Sequence, residues 1–233
     1  MGAKAVTRWI MVLAAILMSS NALALDVKLD SVRDSVETIH KGRVVEVKRI
    51  QDTNHKIVGG FAKTSRKCPP FCIQPTHVAP GIETVSEIDI FNFMEHEVVS
   101  GEGVLVDARV PSWHKKGTIP GSINIPFTVF ESSPHEPKLV DALYKLGVRR
   151  RGEVNPFVRT LEKFGLLNGD LKTDDWDFTH AKKLILYCNG PWCGQSPRAI
   201  RALIKLGYPK DRIHYYRGGM QLWQILGLTT VKD

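Results

Sequence analysis

The sequence predicts an α/β domain with a central parallel sheet flanked by helices on both faces, preceded by a small N-terminal extension. Three observations predict it. Short apolar runs bounded by turn residues, at 103–107, 184–187 and 213–216, have the length of buried strands. Stretches with apolar residues at three- and four-residue intervals lie around them, and strands that alternate with helices form parallel sheets covered on both faces. Each run ends where loop-forming residues begin, which places a site at the carboxyl ends of the strands.

The start of the chain lies outside that domain. Lys4 and Arg8 precede an apolar run over 9–18, and small residues follow as far as Ala22-Leu-Ala24, the three zones of a secretory signal. Residues 1–24 are therefore expected to be a signal peptide cleaved after Ala24, making the mature chain periplasmic or secreted. The apolar run, about ten residues, is short for a bilayer span, so no stable membrane span is expected after cleavage. An uncleaved N-terminal membrane anchor is the alternative.

The 233 residues carry a formal net charge of +8. No basic stripe with interleaved aromatics accompanies the excess, so small anions are expected partners and nucleic acid is not. Arg149-Arg150-Arg151 is the basic run, and it reads as a solvated loop. The four cysteines form two local pairs, Cys68/Cys72 and Cys188/Cys193. In an oxidising compartment either could be a disulfide. Neither shows the Cys/His clustering of a zinc site, and no Gly-rich nucleotide loop occurs, so neither a metal nor a cofactor is expected.

Residues 25–81 read as a separate small unit. Residues 44–50 form a plausible strand, followed by a polar turn at Asp52-Thr-Asn-His55 and by Gly59-Gly60. Cys68-Pro-Pro-Phe-Cys72-Ile-Gln-Pro75 and Ala79-Pro80-Gly81 hold too many prolines for a helix or a central strand. What remains is a rigid Cys-x3-Cys connector. A structural disulfide between Cys68 and Cys72 is the favoured reading, and a redox-active pair is the alternative.

The main domain is expected over 82–230. Thr84-Val-Ser-Glu87 has the spacing of a capping box, and Ile88, Phe91, Met94 or Glu95, and Val98 follow at helical intervals. Strands at 103–107 and 122–126 flank the loop Ala108-Arg-Val-Pro-Ser-Trp-His-Lys-Lys-Gly117. Residues 137–146 have helical spacing, and 156–164 suggest a second short helix ending at Gly165. The stretch 128–183, with the triple arginine, Gly152 and an acidic patch at 170–177, reads as a long insertion that builds a lid or partner surface over the site. A strand at 184–187 then delivers Cys188. A helix at 197–206, stopped by Gly207-Tyr-Pro209, leads to the strand at 213–216 and to Arg217-Gly-Gly-Met-Gln-Leu-Trp223.

Cys188 is the chief candidate for chemistry. It ends an apolar strand, and Asn189-Gly190-Pro191-Trp192-Cys193-Gly194 leads from it into a helix. Backbone N–H groups in such a turn, and in the first helical turn, have no intrahelical partner, so they converge on the sulfur and favour its thiolate. A buried inert cysteine is the plain alternative. Phosphatase chemistry is disfavoured, because the position an arginine takes in a Cys-x5-Arg loop is Gly194 here.

Four motifs occur in order: Val104-Leu-Val-Asp107-Ala-Arg109-Val-Pro111; Gly117-Thr-Ile-Pro-Gly121-Ser-Ile-Asn-Ile-Pro126; Leu186-Tyr-Cys188 before its loop and helix; and Gly218-Gly219 with Trp223. With these the chain resembles a rhodanese-family sulfurtransferase domain over roughly 82–230, and the insertion at 128–183 is longer than that family usually carries. The resemblance implies a rhodanese-like fold in which Cys188 takes the outer sulfur of a small donor, holds it as a persulfide and passes it to a thiol, sulfite or cyanide. A protein redox or sulfur-relay partner is a further expectation.

The resemblance also implies supporting roles for Asp107 and Arg109 at the loop and site wall; a structural ion pair is the plain reading. Thiosulfate-using members of the family place Arg or Lys in the active loop, whereas this loop holds no cation. Backbone amides and cations from elsewhere would then hold the donor, with Arg198, Arg109, Lys115 and Lys116 as candidates. Trp113-His114 stands where the family often has an acidic residue and an aromatic, and Thr118 stands for a family histidine. Trp113 could wall a pocket for an organic persulfide. Cys193 could resolve a persulfide or sulfenate on Cys188 as a disulfide, or simply be a small loop residue. The expectation is a periplasmic sulfurtransferase working through Cys188. The alternative is a redox-sensing or partner-binding module that keeps the fold without turnover and uses the Cys188/Cys193 pair.

Overall fold

The computed structural model describes residues 26–232, so the leader expected at 1–24 lies outside it. The chain opens with an antiparallel hairpin, β1 (Ser35–His40) and β2 (Arg43–Lys48), reversed at Lys41 and Gly42, both of positive φ. An irregular segment follows, with a short 3₁₀ turn at Gly59–Ala62 and a disulfide joining Cys68 to Cys72. Then come β3 (Glu83–Thr84) and α1 (Glu87–Phe93), which continues through a wider π turn at Met94–Val98. Next are β4 (Gly103–Asp107), α2 (Pro111–His114), β5 (Ser122–Asn124), α3 (Phe127–Phe130) and α4 (Pro137–Lys145). The chain goes on through β6 (Arg149–Arg150), α5 (Pro156–Lys163), β7 (Trp176–Asp177), β8 (Lys183–Tyr187), α6 (Gln195–Leu206), β9 (Ile213–Tyr216) and α7 (Gly219–Ile225).

Five strands form the central sheet in the order β3-β9-β8-β4-β5, every neighbouring pair parallel. Alternation along each strand sends successive side chains to opposite faces. Val104, Val106, Leu184, Leu186, Ile213 and Tyr215 enter one core with Ala199, Ile200 and Leu203 of α6. Leu105, Ile185, Tyr187 and Tyr216 enter the other with Ile90, Phe91 and Phe93 of α1 and Met220 and Trp223 of α7. Both faces are thus covered, which is why β4 and β8 read as apolar runs and β9 is broken only by His214.

The capping box sits two residues later than expected. Ser86 donates through its backbone N–H (2.8 Å) and its hydroxyl (2.7 Å) to Asp89, while Thr84 belongs to β3. Of the expected stripe Phe91 and Met94 are buried, while Ile88 is exposed and Ile90 and Phe93 are buried beside them.

The extension is not a unit apart. Val36 and Val47 of the hairpin are buried in the α1 core, and the backbone of Ile50 donates to Gly227 (2.8 Å) near the end of the chain. The insertion also departs from expectation. Leu139, Ala142, Leu143, Trp176 and Phe178 bury themselves in the α6 core, so their helical and strand spacing serves packing, and none of these residues covers the site. Its triple arginine is solvated at Arg149 and Arg150 but is not a loop: their backbone pairs in register with Asp177 and Trp176 of β7, and Arg151 grips Glu162 with two bonds of 2.8 and 2.9 Å.

Candidate active site

β8 carries Tyr187 into the core and releases Cys188 at its carboxyl end, where the chain turns through Gly190 and Pro191 into α6. Cys188 and Cys193 are both reduced and buried. The Ser196 hydroxyl donates to Cys188 Sγ at 3.0 Å, and the protonated thiol lies 3.1 Å from the Cys193 carbonyl. Burial works against ionisation of Cys188, but hydrogen bonds from the Cys193 thiol, the Ser196 hydroxyl, and the Ser196 and Gly190 amides outweigh it and lower its pKa to about 7. Hydrogen bonding to the Cys188 sulfur, together with burial, pushes Cys193 the other way, so one thiol ionises and the other donates to it.

The loop is held from below and above. Backbone N–H groups of Met220 and Gln221 donate to the carbonyls of Cys188 (3.0 Å) and Asn189 (2.9 Å). That approach requires Gly219, whose φ is +54° and where a Cβ would lie 2.3 Å from the Cys188 carbonyl. From above, Gln74 of the extension donates its N–H to the Pro191 carbonyl (2.7 Å), and Arg217 clamps the Gln74 carbonyl. Gln221 accepts from the Trp192 indole (2.6 Å) and donates to the Phe61 carbonyl (2.8 Å), joining loop and extension.

Asp107, at the end of β4, is fully buried and holds four partners. Arg109 reaches it at 2.6 Å, His114 Nδ1 at 2.8 Å and the Thr118 hydroxyl at 2.9 Å, while the Arg109 amide caps its other oxygen. Burial disfavours its charge, yet His114 and Arg109 keep its carboxyl below the usual carboxylate range. Arg109 also donates to the Gly117 carbonyl (2.6 Å) and reaches Asn189 Oδ1 at 3.5 Å, linking this network to the active loop. Thr118, in the place of a family histidine, further meets Tyr187 and Ser122.

A cavity of about 280 Å³ opens beside the loop, lined by Asn189, Trp192, Arg109, Trp113, Lys116, Gly117, Gln224, Gly60, Phe61, Arg66 and Phe71. Of the cations named from sequence, Arg109 and Lys116 reach it and Lys115 does not. Arg198 is elsewhere: its guanidinium is bound by Glu131 (2.6 and 2.7 Å) over the Phe127 ring, away from this cavity. Trp113 lines the wall, whereas His114 turns inward to Asp107. Sequence reasoning missed Arg66, Phe61 and Phe71. They come from the connector, whose irregular pattern gave no clue to what it covers; its disulfide holds Phe71 in an edge contact with Trp192 (5.6 Å), beneath Arg66.

The family model described as Rhodanese-like domain matches residues 94–226. Among solved structures, the human single-domain sulfurtransferase TSTD1 is 24% identical, with 60% of this chain and 94% of that one covered at a TM-score of 0.36. A protein of unknown function and possible tyrosine phosphatase from Rhodopseudomonas palustris is 21% identical, with coverages of 63% and 83% and a TM-score of 0.38. A rhodanese-related protein from Thermoplasma volcanium is 18% identical, with coverages of 65% and 99% and a TM-score of 0.35. No curated protein matches.

Proposed function

Since the chain belongs to the family of rhodanese-like domains, whose model spans more than half of it, we propose that it is a sulfurtransferase carrying sulfane sulfur as a persulfide on Cys188. The supporting observation is the setting of that sulfur: a thiol lowered to about 7 by inward-pointing donors, at the head of α6. The thiolate attacks the outer sulfur of a donor. The bond from that sulfur to the rest of the donor breaks, and the leaving group departs with the electron pair. A thiol, sulfite or cyanide acceptor then takes the outer sulfur, and the electron pair of the S–S bond returns to Cys188. The donors that stabilise the thiolate at the start receive its charge again at the end, so neither displacement needs a general base.

We read the protein as exported, periplasmic or secreted. The charged, apolar and small-residue zones of 1–24 support this, as does the Cys68–Cys72 disulfide. The test of the activity is intact and peptide mass after incubation with thiosulfate, cysteine persulfide or polysulfide. A gain of about 32 Da, one sulfur atom, on Cys188 is expected. Protein left unmodified by all three donors would overturn the proposal.

The placing of two free, buried thiols in one loop, each shifting the pKa of the other, favours a second reading, a redox module that closes a Cys188–Cys193 disulfide. A stable disulfide that no sulfur donor opens or prevents would decide for it.

A further inference from the structure

The cavity beside the active loop is built for more than an inorganic anion. Four of its walls are aromatic, Phe61, Phe71, Trp113 and Trp192, and apolar walls of this extent strip water from a small dianion without replacing it. Three cations share the space. Arg109 is matched by Asp107, but among the described residues no carboxylate pairs with Arg66 or Lys116. Arg66 lies 3.6 Å over the Trp192 ring, spends one nitrogen on the Gly60 carbonyl, and keeps a buried Nε without any hydrogen-bond partner. A guanidinium beside the cavity with an unpaired donor and no carboxylate partner leaves its charge to be matched by an anion. Asn189 and Trp192, which also line the cavity, belong to the loop that wraps Cys188.

We propose that this cavity is the subsite for an organic sulfur donor or acceptor of one class: a thiol or persulfide with a flat apolar body and a carboxylate or sulfonate end. Arg66 takes the anionic end, and Trp113, Trp192 and the two phenylalanines enclose the body. The sulfur end faces the active loop, and in this the inference rests on the sulfur-transfer reading. The connector therefore supplies specificity to a site whose chemistry belongs to the main domain.

Two measurements on the full chain test it. The first is calorimetric binding of para-(methylthio)benzoate, which has the shape and charge but cannot react. Wild-type protein binds it, Arg66→Gln weakens binding by about tenfold or more, and Arg66→Lys recovers part of the loss. The second loads Cys188 with polysulfide and follows single-turnover discharge. Arg66→Gln slows discharge to para-mercaptobenzoate about tenfold more than discharge to cyanide. Absence of wild-type binding, or an equal loss with both acceptors, overturns the proposed ligand class while sulfur transfer stands. Arg66-dependent binding by a protein that polysulfide cannot load sinks sulfur transfer and leaves the ligand class standing.

Discussion

Cys188 owes its reactivity to a competition that burial alone would lose. Enclosure disfavours the anion, and donors from the loop and the start of α6 reverse the outcome. Because its pKa lies at about 7, alkylation of Cys188 by iodoacetamide is expected to speed up as pH rises through that value and to level off above it. Ser196→Ala removes one of the donors that lower the pKa, so the midpoint moves upward and the rate at neutral pH falls by roughly fivefold; a midpoint that stays in place would refute this. Cys188 was legible in the sequence because it ends an apolar strand beside loop-forming residues, and Asp107 and Arg109 entered through the family resemblance. Arg66 was not. A cation inside a proline-rich connector carries no periodicity, and its meaning arises only when the chain folds back over Trp192.

At the scale of elements, the strands β4, β8 and β9 were readable since both their faces are buried and their polar residues fall at the ends, apart from His214 inside β9. β1 was hidden by the opposite circumstance. Its inward positions after Val36 are Thr38 and His40, both buried, while Ile39 points outward, so apolar alternation is inverted along half the strand. The long insertion announced its helices correctly but not their direction, because amphipathic spacing says that a face is buried and not against what. The junction between α7 and the active loop is a tight contact, and Gly219 allows it. Gly219→Ala, with its Cβ driven against the Cys188 carbonyl, is expected to cost more than about 1 kcal/mol in urea unfolding and to slow Cys188 alkylation. Gly42→Ala is the comparison, having a positive φ but nothing within 4 Å, and it should leave alkylation untouched.

Over the whole molecule, the extension and the main domain act as one body around the cavity. The disulfide closes a short loop, so by chain entropy it contributes about 2 kcal/mol at most, and that contribution is local to the cavity wall. Replacing both Cys68 and Cys72 with Ala should speed hydrogen exchange at the Gln74 amide and proteolysis within 59–74, with α6 still protected. Equal loss of protection in both regions would refute a local role. The bonds that seat this wall reach very far along the chain: Phe61 is held by Gln221, Gln74 by Arg217, and Lys48 by Thr229. A ribosome delivers these partners 143 to 181 residues apart. The segment that finishes the cavity precedes α7 in the chain and cannot complete these bonds until α7 has emerged, so a chain stalled before α7 can form much of the sheet while its cavity wall stays unseated.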